Sequence, residues 1–189
     1  MQARTTLAWL AASLLCVGLA AQPSAAQPKK DSAVLGMTLE PPGLDPTAGA
    51  ASAIAEVVLY NLFETLTKIN SDSRTTPLLA ESWTVSDDLK NWTFKLRPGV
   101  KFHNGEPFNA SSVKFSFERG ADKTSTNKDK ATFANIERID TPDATTAVLT
   151  LKNGDPDLLF KLGQATAAMV EPKSVATNNT KPVDRKSVV

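Results

Sequence analysis

The chain has almost no cysteine or histidine, and this excludes several classes of chemistry. Cys16 is the single cysteine among the 189 residues and lies in an apolar N-terminal segment, so the rest of the chain has no thiol for a disulfide, a metal or a nucleophile. His103 is the single histidine, whereas metal sites built from imidazole normally use more than one. Motifs of hydrolases, zinc proteases, phosphate-binding loops and dinucleotide-binding folds are also absent. We therefore expect no enzymatic activity, no metal site and no cofactor.

The charge pattern gives no reason to expect a nucleic-acid partner. The formal net charge is +1, and lysine and arginine are spread along the chain without a basic block. Acidic pairs such as Asp87-Asp88 stand beside lysine in a turn-like segment, where solvated turn formation explains them better than acid–base catalysis. With 41% apolar and 22% charged residues, the composition is that of an ordinary globular protein. We expect a monomer.

Residues 1–26 have the pattern of a secretory signal peptide. Arg4 precedes an uncharged apolar stretch at 7–21, which is shorter than a membrane-spanning helix requires. Ser24 and Ala26 then provide the spacing of small residues that a signal peptidase recognises. We predict cleavage after Ala26, with cleavage after Ala20 as an alternative, and export from the cytoplasm.

Two other interpretations of this N-terminal segment stay open. It could act as an uncleaved membrane anchor, although its apolar stretch is short for that purpose. Alternatively, Cys16 could be acylated, but Leu15 is bulky at a position where a lipoprotein signal has a small residue.

The best-patterned part of the chain lies between residues 92 and 120. Trp92, Phe94 and Leu96 alternate with polar residues, which predicts a strand with one buried face in a hairpin. Pro98-Gly99 favours a type II turn and Asn104-Gly105 a second tight reversal. Asn109 is placed to cap a helix over residues 110–119, and Gly120 to end it.

The other predicted elements are less sharply defined. Ser52 is expected to cap a helix over residues 53–63, and Asp155-Pro156 to begin one that carries three leucines. A mobile polar loop is predicted at residues 121–131 and a loop opening at 171–174. Further strands are predicted at residues 33–39, 66–69, 136–139, 147–151 and 165–170. Together these elements predict an α+β protein in which helices pack on an antiparallel sheet.

Several segments resemble one family, the extracytoplasmic solute-binding proteins of family 5, which serve ABC importers of peptides and nickel. The similarity covers nearly all of residues 34–183. Asn104 departs from the aspartate that is usual before this glycine, without disturbing the turn. The resemblance rests on the segments LDP (44–46), LFETL (62–66), PLLAESWTVSDD (77–88), WTFKLRPGVKFHNGEPFNASSVKFSFER (92–119), PDATTAVLTLK (142–152) and DPDLLFKL (155–162).

The resemblance implies the N-terminal portion of a periplasmic-binding-protein type II fold, in which two lobes close on a ligand. Residues 27–50 would supply the first strand and loop of lobe one, and 51–170 most of a small additional domain. Residues 171–183 would begin the return to lobe one. Members of the family are far longer, so the second lobe is expected to be missing. We interpret residues 184–189 as a non-native tail, because one reverse translation of them matches a common sequencing adaptor.

The same resemblance implies binding rather than catalysis. Ligand backbone would be held near the loop after LDP, and the candidates there are Gly49, Ala50, Ala51, Ser52 and Ala53, with Ala50 and Ser52 the most favoured.

A second ligand contact could come from the small domain. Phe133 is the aromatic closest to where that domain would approach a peptide, although packing at the edge of the core is the favoured explanation of this residue.

The function implied by the resemblance is that of a periplasmic substrate-binding component. It would capture a peptide or similar small solute by lobe closure and deliver it to a membrane permease. An envelope chaperone or a ligand sensor on the same scaffold is the alternative. A secreted hydrolase is disfavoured because no nucleophile stands near a base.

Overall fold

The computed structural model describes residues 34–47 and 51–178, and the chain divides into two units at residues 38 and 39. In the first unit, residues 34–38 are irregular and exposed, with Val34 98% accessible. The prediction of a strand at residues 33–39 is therefore wrong for residues 34–39, which are the part of that range that the structure describes. No described strand lies beside this segment to complete its backbone hydrogen bonds, and a lone strand is not stable. The predicted signal peptide and the tail at 184–189 lie outside the described residues.

A four-stranded antiparallel sheet forms the centre of the second unit. Its strands are β3 (Ala80–Val85), β4 (Asn91–Leu96), β5 (Ile136–Asp143) and β6 (Thr146–Leu151), in the spatial order β3-β4-β6-β5. A two-stranded ribbon of β1 (Thr67–Ile69) and β2 (Thr75–Pro77) precedes it. The predicted α+β class is confirmed, and β5 runs past the predicted end at residue 139 because it pairs with β6 as far as Asp143.

One face of the sheet carries the core. Trp92, Phe94 and Leu96 on β4 are all buried, while Lys95 between them is exposed, as the alternation predicts. Phe94 pairs with Ala147 of β6, so the aromatic ring lies over a small neighbour on the same face. The rings of Trp92 and Phe94 lie 6.4 Å apart and nearly parallel.

Helix α2 (Ala110–Ala121) packs on this face and begins as predicted. The Asn109 side chain accepts a hydrogen bond from the Ser112 N–H at 3.2 Å, and the Ser112 hydroxyl accepts one from the Asn109 N–H. Val113 and Phe117 point into the core with 0% and 1% exposure. Gly120 does not end the helix but lies within its last turn.

Part of the polar segment predicted as a mobile loop is ordered around α3 (Lys130–Ala134). Asn127 is buried and donates through its Nδ2 to the Thr166 carbonyl at 2.9 Å. Asp129 accepts a hydrogen bond from the Thr166 hydroxyl at 2.6 Å. Two side chains thus tie the segment to a distant part of the chain, which its polar composition alone does not reveal.

Four short elements differ from their predictions. Helix α1 (Ser52–Val58) stops before residue 63, because Tyr60 takes a left-handed φ of 62° and donates its N–H to the Phe63 carbonyl. Ser52 is the first helical residue rather than the cap, and Ala51 takes the cap position without a side-chain bond.

Helix α4 (Leu158–Lys161) is a single turn with Asp157 at its N-cap, so the prediction that Asp155-Pro156 begins the helix is wrong, and Leu162 lies after its end. Asp155 instead accepts hydrogen bonds from the N–H groups of Asp157 and Leu158, which form a turn before the helix. A 3₁₀ turn, Ala165–Ala167, replaces the strand predicted at residues 165–170. The N–H of Met169 bonds to the Glu64 carbonyl and that of Val170 to the Ser116 hydroxyl, so neither is available to pair with a strand. Helix α5 (Pro172–Asn178) replaces the loop expected at residues 171–174.

Candidate functional site

The loop that contains Leu-Asp-Pro is built around one carboxylate. Asp45 accepts hydrogen bonds at its Oδ1 from the Thr47 N–H at 2.8 Å and from the Thr47 hydroxyl at 2.6 Å. This is the local turn that aspartate forms with the backbone two residues ahead. Thr47 is only 7% exposed. Its N–H and hydroxyl can be buried without a large energetic cost because both are hydrogen-bonded to Asp45.

Arg119 at the end of α2 holds the same loop from outside. Its Nη2 donates to Asp45 Oδ2 at 3.0 Å, and its Nη1 donates to the Thr47 hydroxyl. A guanidinium can form both contacts at once because its donors lie in one rigid plane. Helix α2 therefore fixes the loop from 72 and 74 residues away in sequence.

The predicted ligand-binding loop follows directly. Gly49 and Ala50 lie outside the described residues. Ala51 and Ser52 are exposed at the start of α1, whereas Ala53 is buried with 1% exposure. Ser52 and Ala51 are therefore accessible to a ligand, and the side chain of Ala53 faces the protein interior. Their role in binding stays a prediction.

Phe133 lies in the hydrophobic core of the second unit. It is 2% exposed, and its ring centroid is 5.4 Å from that of Phe117. A Cβ placed on Gly120 would come within 2.8 Å of the Phe133 ring, so the ring fills the space that this glycine leaves. This position fits the packing interpretation, and a ligand contact by Phe133 stays a prediction.

The described residues form an open groove of about 450 Å³ that sequence reasoning did not find. Aromatic and aliphatic side chains form its walls, and polar groups of two loops form its rim. The residues that line it include Tyr60, Phe63, Leu79, Phe102, Phe108 and Met169. The hydroxyl of Tyr60 accepts from the Ile69 N–H at 2.9 Å and donates to the Gly163 carbonyl at 3.0 Å, which fixes one wall.

Glu171 stands at the rim of the groove and joins two segments. Its carboxylate accepts hydrogen bonds from the N–H groups of Lys173 and Ser174, and Asn104 donates to it at 3.0 Å. Burial of Glu171 opposes ionisation, but these bonds and that of the Ser174 hydroxyl at 2.8 Å outweigh burial and hold the pKa of Glu171 below its ordinary value.

An ion pair lies beside these hydrogen bonds. Lys173 donates to the Glu106 carboxylate, and the hydrogen bond raises the pKa of Lys173 above its ordinary value. Residues 102–107, the turn around Asn104-Gly105 that is called the hairpin below, are thereby joined to the start of α5 by two contacts. The hairpin donates in the first contact, from Asn104, and accepts in the second, at Glu106. The turn residues around Asn104-Gly105 predict a hairpin from the sequence. They do not indicate which residues the hairpin contacts.

The described residues offer two accessible places where a ligand could bind, the start of α1 and the groove. In the described part of the chain, no three histidine, cysteine, aspartate or glutamate side chains lie close enough to hold a metal ion.

The decisive comparison is with family models. The model described as "Bacterial extracellular solute-binding proteins, family 5 Middle" matches residues 74–187, more than half of the chain. The chain belongs to family 5 of the bacterial extracellular solute-binding proteins. The resemblance seen in the sequence is thus confirmed, and the relatives are transporter substrate-binding proteins rather than enzymes.

Curated and solved relatives agree with this family. The glutathione-binding protein GsiB of Escherichia coli K12 is 33% identical over 132 residues, which are 70% of this chain and 26% of that protein. The structure of AgaA in complex with agropinic acid, from A. tumefaciens R10, is 30% identical with a TM-score of 0.71 and covers 77% of this chain and 29% of AgaA.

Oligopeptide binding proteins share the fold. OppA of Haemophilus influenzae in complex with RPPGFSPFR has a TM-score of 0.70 at 23% identity, over 79% of this chain and 32% of OppA. The type II periplasmic-binding-protein fold is therefore confirmed for a partial chain. The chain spans about a quarter of the length of GsiB and AgaA. Among the described residues, no helix has the length and apolar character needed to cross a membrane.

Proposed function

We propose that this chain forms part of the periplasmic substrate-binding component of an ABC importer for peptides or similar small solutes. The observation that carries the proposal is the family match over residues 74–187. In this proposal, a signal peptide at residues 1–26 exports the protein, and a membrane permease receives the solute.

The loop from Asp45 to Ser52 is proposed to hold the backbone of the ligand. Arg119 keeps the Asp45–Thr47 turn in place, and Ser52 is exposed in the first turn of α1. Gly49, Ala50 and Ala51 complete the proposed contact, with Ala53 supporting it from the interior. Binding through main-chain groups tolerates many side chains, which suits a peptide importer.

The solute class is drawn from the relatives' ligands. GsiB is a glutathione-binding protein, and AgaA was solved with agropinic acid. NikZ from Campylobacter jejuni, 25% identical with a TM-score of 0.63, was solved with Ni(L-His) over 74% of this chain and 27% of NikZ. These ligands are small and polar, and each carries amino-acid chemistry. We propose a solute of the same size, with short peptides and glutathione as the first candidates.

Uptake by the source bacterium tests the proposal. Deletion of the locus is expected to abolish uptake of one labelled solute from a panel of short peptides, glutathione and histidine-bound nickel, and the intact locus should restore it. Complementation with Ser52→Trp should fail, because the bulky ring covers the start of α1. Ser111→Trp, at an equally exposed serine in the first turn of α2, is the matched control.

The result also separates import from sensing. If uptake of every solute in the panel is unchanged while transcription of neighbouring genes changes, the importer assignment is wrong and the sensor alternative gains support. Equal uptake with Ser52→Trp and Ser111→Trp would contradict the proposed position of the ligand but not the transport role.

A further inference from the structure

The tip of the hairpin at 102–107 joins an exposed asparagine to an unhindered glycine. Asn104 is exposed, and Gly105 has a φ of 86° with no atom within 4 Å of where a Cβ would stand. Two turn bonds hold this pair within the hairpin, from the Gly105 N–H to the Phe102 carbonyl at 2.9 Å and from the Glu106 N–H to the Asn104 Oδ1 at 3.1 Å. One further bond, from Asn104 Nδ2 to Glu171, leaves the hairpin. None of the three bonds belongs to the four-stranded sheet, so they can open without unfolding it.

We propose that Asn104 is a site of spontaneous deamidation that reverses the sign of one contact at the groove rim. The backbone nitrogen of Gly105 attacks the Asn104 side-chain carbonyl carbon, and a new C–N bond forms as the bond to Nδ2 breaks. Nδ2 leaves as ammonia and takes the proton of the attacking nitrogen. Water then opens the five-membered imide at either carbonyl, which yields aspartate or isoaspartate without any oxidant or reductant.

The contact that changes is the one with Glu171. Asn104 donates from Nδ2 to Glu171 Oε2 at 3.0 Å, and Nδ2 is the atom that the reaction removes. A carboxylate in its place has no proton to donate at neutral pH, so two acceptors of like charge would face each other. Lys173 lies near the same site, where it pairs with Glu106 and is also attracted by Glu171.

The consequence follows from where Glu171 lies. It caps α5 and is 8% exposed, so its carboxylate cannot turn into solvent without losing the bonds from Lys173 and Ser174. Repulsion is therefore relieved by displacement of the exposed hairpin. Deamidation would break one of the two contacts between the hairpin and α5 and leave the Lys173–Glu106 pair as the other, so the hairpin would shift where Phe102 and Phe108 line the groove.

A second Asn-Gly pair in the same chain provides a matched comparison. Asn153 exchanges backbone and side-chain hydrogen bonds with Asn135, including Asn135 Nδ2 to the Asn153 carbonyl at 2.9 Å and the Asn153 N–H to Asn135 Oδ1 at 3.1 Å. A Cβ on Gly154 would collide with the Asp88 carbonyl, so this glycine is packed against another turn. Opening of this pair requires two loops to separate, and its deamidation should be slower.

Peptide mapping of the aged protein tests the site. The purified chain is incubated in mildly alkaline buffer, and both Asn-Gly peptides are followed by mass spectrometry for the replacement of NH₂ by OH. We expect conversion at Asn104 to be about tenfold faster than at Asn153, equivalent to a difference of about 1.4 kcal/mol in opening. A rate at Asn104 equal to or below that at Asn153 would overturn the proposal. Asn104→Gln, whose longer side chain forms the imide slowly, should abolish the fast conversion.

Substitution tests the consequence separately. Asn104→Asp is expected to lower the thermal midpoint by about 2–4 °C, and Asn104→Asp combined with Glu171→Gln to regain most of the loss, because the Gln amide can donate to the new carboxylate. Glu171→Gln alone sets the baseline. A midpoint unchanged by Asn104→Asp, or a double variant no more stable than Asn104→Asp, would overturn the proposed repulsion. Because none of these measurements involves a solute, their failure would leave the transport role untouched.

Discussion

The four-stranded sheet with α2 and the groove beside it are built by different forces. In the sheet, alternate side chains of each strand enter a continuous apolar core, and Phe94, Phe117 and Leu149 are almost completely buried. In the groove, single polar contacts between distant segments determine the shape, such as Tyr60 with Gly163 and Asn104 with Glu171. Burial of apolar area is spread over many residues, whereas each groove contact depends on one or two atoms.

This difference teaches where the molecule should tolerate change. A core residue contributes through area and volume, so its loss leaves a cavity that neighbours fill only in part. A polar contact at the surface contributes little to global stability but decides the position of one loop. We therefore expect large global effects from the sheet and small, local effects from the groove.

The largest effect is expected in the core. Phe117→Ala removes a ring that packs against Phe133 and should lower the free energy of unfolding by about 3–5 kcal/mol. The matched control is Thr93→Ala on the opposite face of β4, for which we expect about 0.5 kcal/mol or less. Urea denaturation measures both. Similar losses in the two variants would remove the distinction between the two faces.

A smaller effect is expected where α2 approaches α3. Gly120→Ala places a Cβ against the Phe133 ring, and overpacking of this kind costs about 1–3 kcal/mol. The higher helix propensity of alanine returns about 1 kcal/mol. A net loss of about 1 kcal/mol is expected in the same assay.

A substitution at Phe133 tests whether its ring causes the cost of Gly120→Ala. Phe133→Leu combined with Gly120→Ala should be more stable than the sum of the two single changes predicts, because the smaller side chain makes room for the Cβ. Strict additivity would mean that the ring is not what makes glycine necessary.

Arg119→Met tests the contact between α2 and the Asp45 loop. It removes the bonds to Asp45 and Thr47 and should cost about 1 kcal/mol, since the Arg119 and Asp45 side chains are partly exposed. Amide exchange at residues 45–47 should accelerate more than exchange in the sheet. Lys114→Met on the same helix is the control, because its pair with Glu118 is long at 3.9 Å and exposed. Unchanged exchange at residues 45–47 would show that the loop does not depend on α2.

The smallest effect is a pH dependence at the groove. The pKa of Glu171 is lowered in the folded chain, so its contribution to stability is present above the ordinary glutamate range and is lost as pH falls through the folded pKa. Wild-type protein should therefore exceed Glu171→Gln in stability near neutral pH, and the gap should close in acid. Glu81→Gln, at an exposed position of β3, is the control for general titration. A gap that widens in acid would contradict the assignment.

Prediction from sequence succeeded where the pattern was local. The alternation of Trp92, Phe94 and Leu96 predicted a half-buried strand, and Asn109 predicted the start of α2. Both depend on neighbours within a few residues, because strand alternation and helix capping are short-range effects. The family motifs in the same segment led to the family that the comparison confirmed.

Prediction failed where a segment depends on a distant partner. Residues 34–39 have strand-like composition, but the described residues contain no neighbouring strand for them. Helix α1 ends early because Tyr60 is held by Ile69 and Gly163, and residues 165–170 bond to Glu64 and Ser116 instead of to a strand. No local pattern contains this information.

The amino-acid sequence by itself determined the α+β class, the main hairpin, the capped helix and the membership of a solute-binding family, since periodicity, turn residues and motif order are properties of the chain. Only the tertiary structure decided that Arg119 holds the Asp45 loop, that Phe133 packs under Gly120, and that Asn104 meets Glu171 at the rim of a groove. These contacts join residues 13 to 74 positions apart. Such pairs form only after the sheet and helices have packed, because packing is what brings their side chains within hydrogen-bonding or van der Waals distance.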